Sequence, residues 1–106
     1  MWASGDVYEG QWKEGKRHGK GRYASADGAI YEGEFQANLK HGKGKYTYPD
    51  GEVEIGCYEA DADVGQGVQW SADRAQAWEV QDGKRGRSIS QEEAAQIAAR
   101  IGLPVP

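Results

Sequence analysis

The chain has 106 residues, 16 of them glycine, and a formal net charge of −4 at pH 7. Leu, Ile, Val and Phe total only 14 residues, and so few aliphatic side chains exclude a thick globular core. Four Trp and six Tyr supply bulky apolar surface instead, which favours thin β structure. The single cysteine, Cys57, excludes an internal disulfide framework and a thiolate zinc site.

The amino-acid composition also argues against a membrane span, a secretory signal and a nucleic-acid partner. No apolar run approaches the ~18 residues that a membrane-spanning helix needs, and the N-terminus lacks the regions of a secretory signal. We therefore expect a cytoplasmic protein. The acidic net charge is not typical of nucleic-acid binding, so no nucleic-acid partner is expected.

A repeat of 23 residues begins at Tyr8. Residues 8–30 and 31–53 share ten positions without gaps, including an initial Tyr-Glu-Gly, a central His-Gly-Lys-Gly and a later Asp-Gly. Residues 54–76 keep part of the glycine pattern and are interpreted as a degenerate third copy. Residues 77–87 resemble the first strand of a partial fourth copy. The sequence thus predicts a repeat array over residues 1–87, with six strands from the three longer copies.

Each repeat has the pattern of two strands and two turns. From Tyr8 to Trp12, aromatic or glycine residues alternate with polar ones, which is the period of a half-buried strand. The glycines are expected to leave room for rings from neighbouring strands to lie over the backbone. Asp-Gly marks one turn, and the series Gly15, Asn38, Asp61 marks a left-handed backbone position in the other.

The C-terminal region changes to a helical period. Ser90 begins a capping box, an apolar stripe follows from Ala94 to Ile101, and Gly102 is a typical helix stop. We predict a helix over residues 91–101 within a capping segment and proline-containing tail at residues 88–106. This helix is expected to cover the last strand of the array.

The segment YEGxWxxGxxHGxG with its later Asp-Gly resembles the MORN repeat (membrane occupation and recognition nexus). The resemblance implies a mainly β fold: a single-layer, elongated antiparallel sheet of stacked β-hairpins, here with a short C-terminal α-helix as a cap. It also implies a non-enzymatic structural module, in flagellar, ciliary-axoneme or cytoskeletal assemblies. In some family members an aromatic groove receives a partner helix, and lipid binding is ascribed to others.

One aromatic face of the sheet is the predicted protein-binding site. The rings expected to line it and to contact a helix or extended segment of a partner are Tyr8, Trp12, Tyr23, Tyr31, Phe35, Tyr46 and Tyr58. A helix of 11 residues spans about 16 Å, roughly half of the expected strip, so the rest of the face should remain accessible.

Basic turns offer an alternative function. Peripheral attachment to anionic lipids would use Lys16, Arg17, Lys20, Lys40 and Lys43. A third hypothesis is self-association through the unpaired edges of the outer strands.

No residue pattern predicts catalysis, a metal site or a cofactor. His18 and His41 occupy equivalent repeat positions but lack a third ligand, because Val64 stands at that position in the third copy. The acidic run from Glu59 to Asp63 lacks the glycine and final glutamate of a calcium loop and is interpreted as a solvated turn.

Overall fold

The structure is a computed structural model in which residues 5–106 are described. Eight strands precede one helix along the chain. The elements are β1 (Val7–Lys13), β2 (Lys16–Ala24), β3 (Ile30–Gln36), β4 (Leu39–Thr47), β5 (Val53–Glu59), β6 (Ala62–Trp70), β7 (Ala77–Gln81), β8 (Lys84–Ile89) and α1 (Gln91–Ile101).

The strands form one open antiparallel sheet in which each strand pairs with its neighbours in chain order. Consecutive pairs define hairpin 1 (β1–β2), hairpin 2 (β3–β4), hairpin 3 (β5–β6) and hairpin 4 (β7–β8). The molecule measures 41 × 24 × 21 Å, so it is elongated along the direction in which the hairpins stack. The predicted fold class is confirmed. Among residues 5–106, no helix is both long and apolar enough to cross a membrane.

The turns inside the hairpins follow the repeat. Gly15, Asn38 and Asp61 have φ angles of 77°, 75° and 72°, which confirms the predicted left-handed position. The residue before each of them also has a positive φ, as a two-residue type I′ hairpin turn requires. The side chains of Asn38 and Asp61 add a second role, because each accepts a hydrogen bond from a backbone amide of the preceding hairpin, at 2.9 and 2.7 Å.

Hairpin 4 is more complete than the sequence indicated. Residues 77–87 were expected to supply one strand, but β7 and β8 form a full hairpin that continues to Ile89. Asp82 and Gly83 make its turn with φ angles of 50° and 82°. The sheet therefore has eight strands rather than the seven expected, and the expected boundary after residue 87 lies inside β8.

Helix α1 has the predicted bounds, Gln91–Ile101. The Ser90 hydroxyl accepts a hydrogen bond from the Glu93 amide at 3.0 Å, as in a capping box. At the other end, Gly102 adopts a φ of 99° and donates its amide to the Ala98 carbonyl.

The helix packs on the last strands of the array, but on the face opposite the aromatic residues. Its buried residues Ala94, Ile97 and Ala98 pack on apolar side chains of β5–β8. Those side chains are Val53, Ile55, Val68, Trp70, Ala77 and Ile89. They alternate with the residues that continue the aromatic row, so α1 covers the opposite face, called here the helix face. The expectation that α1 covers half of the aromatic face was wrong, since apolar residues replace charged ones on the helix face only from β5 onward.

Candidate partner-binding groove

One row of residues crosses the whole sheet on the face opposite α1, here called the groove face. Paired register from β1 to β8 places in this row Tyr8, Tyr23, Tyr31, Tyr46, Glu54, Gln69, Trp78 and Ser88. Hairpins 1 and 2 supply only tyrosines to the row, whereas hairpins 3 and 4 supply mainly polar residues. The aromatic part of the groove face therefore belongs to the first two repeats.

The aromatic rings pack over glycines of the neighbouring strand, as predicted. A Cβ on Gly21 would lie 2.3 Å from the Tyr8 hydroxyl oxygen, and one on Gly44 would lie 2.4 Å from Cε1 of Tyr31. Real Cβ atoms do not come so close to other heavy atoms, so both rings need glycine beneath them. The hydroxyl of each ring then donates to the carbonyl three residues on, at 2.8 Å for Tyr8 and 3.0 Å for Tyr31.

Edge-to-face contacts join each hairpin to the next. Ring centroids lie 5.3 Å apart for Tyr8–Phe35 and 5.3 Å apart for Tyr31–Tyr58, with nearly perpendicular planes. As a result Tyr31, Phe35 and Tyr58 are buried, with exposures of 3%, 5% and 6%. These three rings form the floor of the predicted site rather than its open surface.

The other predicted rings are more accessible. Tyr8, Tyr23 and Tyr46 are half-buried, while Trp12 at the β1 edge is 51% exposed and packs edge-on against Tyr8. The structure thus brings all seven predicted aromatic residues to one face. The aromatic surface that a partner could contact consists of Trp12 and the exposed edges of the half-buried rings.

Two cations lie on the rings. The Arg17 guanidinium is 4.8 Å from the Tyr23 ring centroid and 5.3 Å from that of Phe35. The Lys40 ammonium is 5.1 Å from the centroids of both Tyr46 and Tyr58. Each distance is in the range of a cation–π interaction. Position 17 and position 40 are equivalent in the repeat, so each of the first two hairpins supplies a cation to its own rings.

A cavity of about 210 Å³ lies between these cations. Its lining residues are Arg17, Tyr23, Ser25, Tyr31, Phe35, Asn38, Lys40, Tyr46 and Asp61. We call this space with its lining and Trp12 the ring groove. It is a concave site with an aromatic floor and polar walls, a composition typical of binding sites for protein segments.

The residues of the lipid alternative do not form one stripe. Arg17 and Lys40 lie on the groove face over the rings. Lys20 and Lys43 line a hollow beside Gly102 and Leu103, and the Lys43 ammonium donates to the Gly102 carbonyl at 3.3 Å. Because Leu103 packs with the helix-face cluster, these two lysines belong to the side opposite Arg17 and Lys40. Lys16 is exposed at the β1–β2 turn.

Hairpin 3 replaces the ring and its cation with two carboxyl groups. Glu54 stands in the row of Tyr8 and Tyr31, and Asp63 stands at the position of Arg17 and Lys40. Glu54 is only 3% exposed, and its Oε1 accepts a hydrogen bond from the Tyr48 hydroxyl at 3.0 Å. Burial and the neighbouring Asp63 carboxyl raise the pKa of Glu54 to about 8, so Glu54 is largely protonated at neutral pH.

Sequence reasoning missed this carboxyl pair. The acidic run was interpreted as a solvated turn, yet Asp61 caps the Lys40 amide and Asp63 lies beside buried Glu54. The signal was present in the repeat alignment, since Glu54 aligns with a ring and Asp63 with a cation. In the third copy, Arg74 occupies the position of the turn glycine with a φ of 65°, and its guanidinium donates to the Gly51 carbonyl at 3.0 Å.

Within residues 5–106, no group of three or more His, Cys, Asp or Glu side chains is placed to hold a metal ion. Cys57 is a free, half-buried thiol in β5.

The fold and the groove define an elongated β-hairpin repeat protein with a potential interaction surface on one face. Residues 8–30 and 31–53 match the family model of the MORN repeat, so the chain contains two MORN repeats in tandem. MORN repeats are in general structural modules for protein–protein or membrane association. A search of curated proteins found no match to the chain.

Proposed function

We propose that the chain is a non-enzymatic scaffold module whose ring groove binds a helical or extended segment of a partner protein. The observation that carries this proposal is the position of α1 on the helix face, so that within residues 5–106 no helix covers the groove face. The aromatic floor supplies apolar area, and Trp12 supplies an exposed aromatic anchor of the kind enriched in binding hot spots.

The alternative partner is an anionic membrane. An anionic membrane is less favoured than a protein, because the five basic residues of the lipid hypothesis are divided between two faces and a turn. Two of them, Arg17 and Lys40, are already engaged with rings. By resemblance to the MORN family, the proposed setting is a cytoplasmic cytoskeletal or flagellar assembly, which a fluorescent fusion would localise.

A displayed library of random 16-residue peptides tests the proposal without a known partner. Peptides enriched on the wild-type chain should lose at least about tenfold in affinity on Trp12→Ala, a loss typical of an aromatic hot spot. The matched control is Glu32→Ala, an exposed residue that lies in the row of Ile55 on the helix face. It should leave the affinity unchanged.

Two results would count against the proposal. One is enrichment of peptides that bind Trp12→Ala as tightly as the wild type. The other is failure of the library together with co-sedimentation of the chain on phosphatidylserine vesicles at low salt. That second result would move the proposal to the membrane alternative.

A further inference from the structure

We propose that the ring groove contains a subsite for a basic side chain, so that a partner inserts an arginine or lysine against Asp61 and Asp63. This inference rests on the proposed function and adds the chemistry of the partner. Its location is a second cavity, of about 240 Å³, next to the one between Arg17 and Lys40. The lining residues are Lys40, Tyr46, Tyr48, Tyr58, Asp61 and Asp63.

The repeat itself indicates that hairpin 3 supplies no cation of its own here. In hairpins 1 and 2, Arg17 and Lys40 lie on rings of their own hairpin and on one ring of the next. In hairpin 3 the equivalent position carries Asp63. The cavity beside it has Lys40 on Tyr46 and Tyr58, and it adds the Tyr48 ring and the carboxylates of Asp61 and Asp63. A cavity with tyrosine walls and carboxylates is the chemical complement of a guanidinium or an ammonium group.

Buried Glu54 provides a second, independent indication. Its side chain lies directly behind Tyr48 and Asp63, two residues that line the cavity. Among residues 5–106, no N–H or hydroxyl group donates a hydrogen bond to its buried Oε2, and its carboxyl neighbour is Asp63, with which it forms a hydrogen bond when one of the two is protonated. Two carboxyl groups this close need a shared proton or a cation. Since the chain supplies no cation at position 63, a ligand can supply one.

The second cavity differs from the first in the balance of its charged side chains. The first cavity has two cations, Arg17 and Lys40, against one carboxylate, Asp61. The second has one cation, Lys40, against Asp61 and Asp63, with Glu54 behind them. The polarity of the ring groove therefore reverses along its length. A partner segment with a basic side chain at the hairpin 3 end fits only one direction of binding.

Arginine fits the subsite better than lysine does. Its planar guanidinium can stack on a tyrosine ring and donate two parallel hydrogen bonds to a carboxylate, whereas the lysine ammonium acts as a point charge. The same group would replace the proton between Glu54 and Asp63 as the compensation for their negative charge.

Titration with N-acetyl-arginine amide, followed by NMR, tests the subsite independently of any partner. We expect saturable shifts of Tyr46, Tyr48 and Tyr58 ring signals. N-acetyl-citrulline amide, which is neutral and nearly isosteric, should cause none. Asp63→Asn should abolish the arginine shifts. Asp50→Asn, the same charge change in an exposed turn outside the cavity, should retain them.

Equal shifts from citrulline, or arginine shifts that survive Asp63→Asn, would overturn the inference. In library-selected peptides, replacing one basic residue with citrulline should weaken binding at least about tenfold to the wild type but not to Asp63→Asn. If the peptides depend on Trp12 but tolerate every such replacement, the groove binds segments and the basic subsite is wrong. If no peptide depends on Trp12 while the arginine titration succeeds, the subsite stands and the proposed function fails.

Discussion

Hairpins 1 and 2 and hairpins 3 and 4 share one sheet, but their main apolar clusters lie on opposite faces, with Tyr58 of hairpin 3 joining the cluster on the groove face. In the first pair, Tyr31 and Phe35 pack over glycines on the groove face, and charged residues such as Glu9 and Arg22 pair on the other face. In the second pair, Val53, Val68 and Trp70 pack against α1 on the helix face. A single-layer sheet thus obtains two small clusters instead of one core.

The difference assigns separate roles to the two regions. The cluster covered by α1 is closed, so the helix face of hairpins 3 and 4 stabilises the end of the array. On the opposite face, Arg17 and Lys40 lie over the aromatic cluster beside a concave surface, so the binding function proposed here belongs to the groove face of hairpins 1 and 2 and the adjoining part of hairpin 3. The carboxyl pair of Glu54 and Asp63 marks the junction between the two.

The largest predicted effect tests the closed cluster. Ile97→Ala leaves a cavity between α1 and the sheet and should lower the free energy of unfolding by about 2–5 kcal/mol. Urea denaturation measures this loss, and amide exchange should accelerate first in β5–β7. The exposed helix residue Gln96→Ala is the control. Faster exchange in β1 and β2 alone would contradict the division into two clusters.

Two glycines at the same repeat position provide the next test. A Cβ on Gly33 would lie 2.6 Å from the Lys43 carbonyl oxygen and 2.7 Å from the Tyr31 hydroxyl oxygen, so Gly33→Ala should cost about 1–3 kcal/mol. At Gly56 the nearest atom is 3.4 Å away, because Glu54 replaces the ring and the Cα of the cross-strand glycine lies 3.9 Å away instead of 2.6 Å. Gly56→Ala should therefore change stability by less than about 1 kcal/mol. Equal losses in thermal unfolding would show that ring packing does not distinguish the hairpins.

The junction should respond to pH. The pKa of Glu54 is raised to about 8 in the folded chain. Between the ordinary pKa of a glutamate and pH 8, the folded state therefore keeps a proton that the unfolded state has released. Stability should accordingly fall as pH rises from about 5 to 8, by roughly 3–4 kcal/mol, and Glu54→Gln should remove most of this slope. Urea titrations at several pH values measure it. The same slope in Glu54→Gln would assign the pH dependence to other groups.

The smallest effect concerns the helix cap. Ser90→Ala removes the acceptor for the Glu93 amide and should cost about 1 kcal/mol. Ser88→Ala, an exposed serine in β8, is the matched control and should be neutral in thermal unfolding. A cost equal to that of Ser88→Ala would mean that α1 does not depend on its cap.

The repeat pattern predicted strands β1 to β7, the left-handed turn positions and the helix bounds, because glycine, Asn-Asp and capping signals act locally. It did not predict which face α1 covers. That choice depends on Val53, Ile55 and Trp70 standing one residue out of step with the aromatic row, and their register is set by pairing across β4–β6. The burial of Phe35 was likewise not predictable from local pattern, since it arises from Tyr8 and Arg17 of another hairpin.

Photo-crosslinking from two adjacent residues of β4 tests the central claim most directly. A benzophenone amino acid replaces either Tyr46, on the groove face, or Lys45, in the row of Ile55 on the helix face. With a library-selected peptide, the account predicts adducts from position 46 and none from position 45. Adducts from position 45 alone would show that the partner binds the helix face, and the proposed groove function would be wrong.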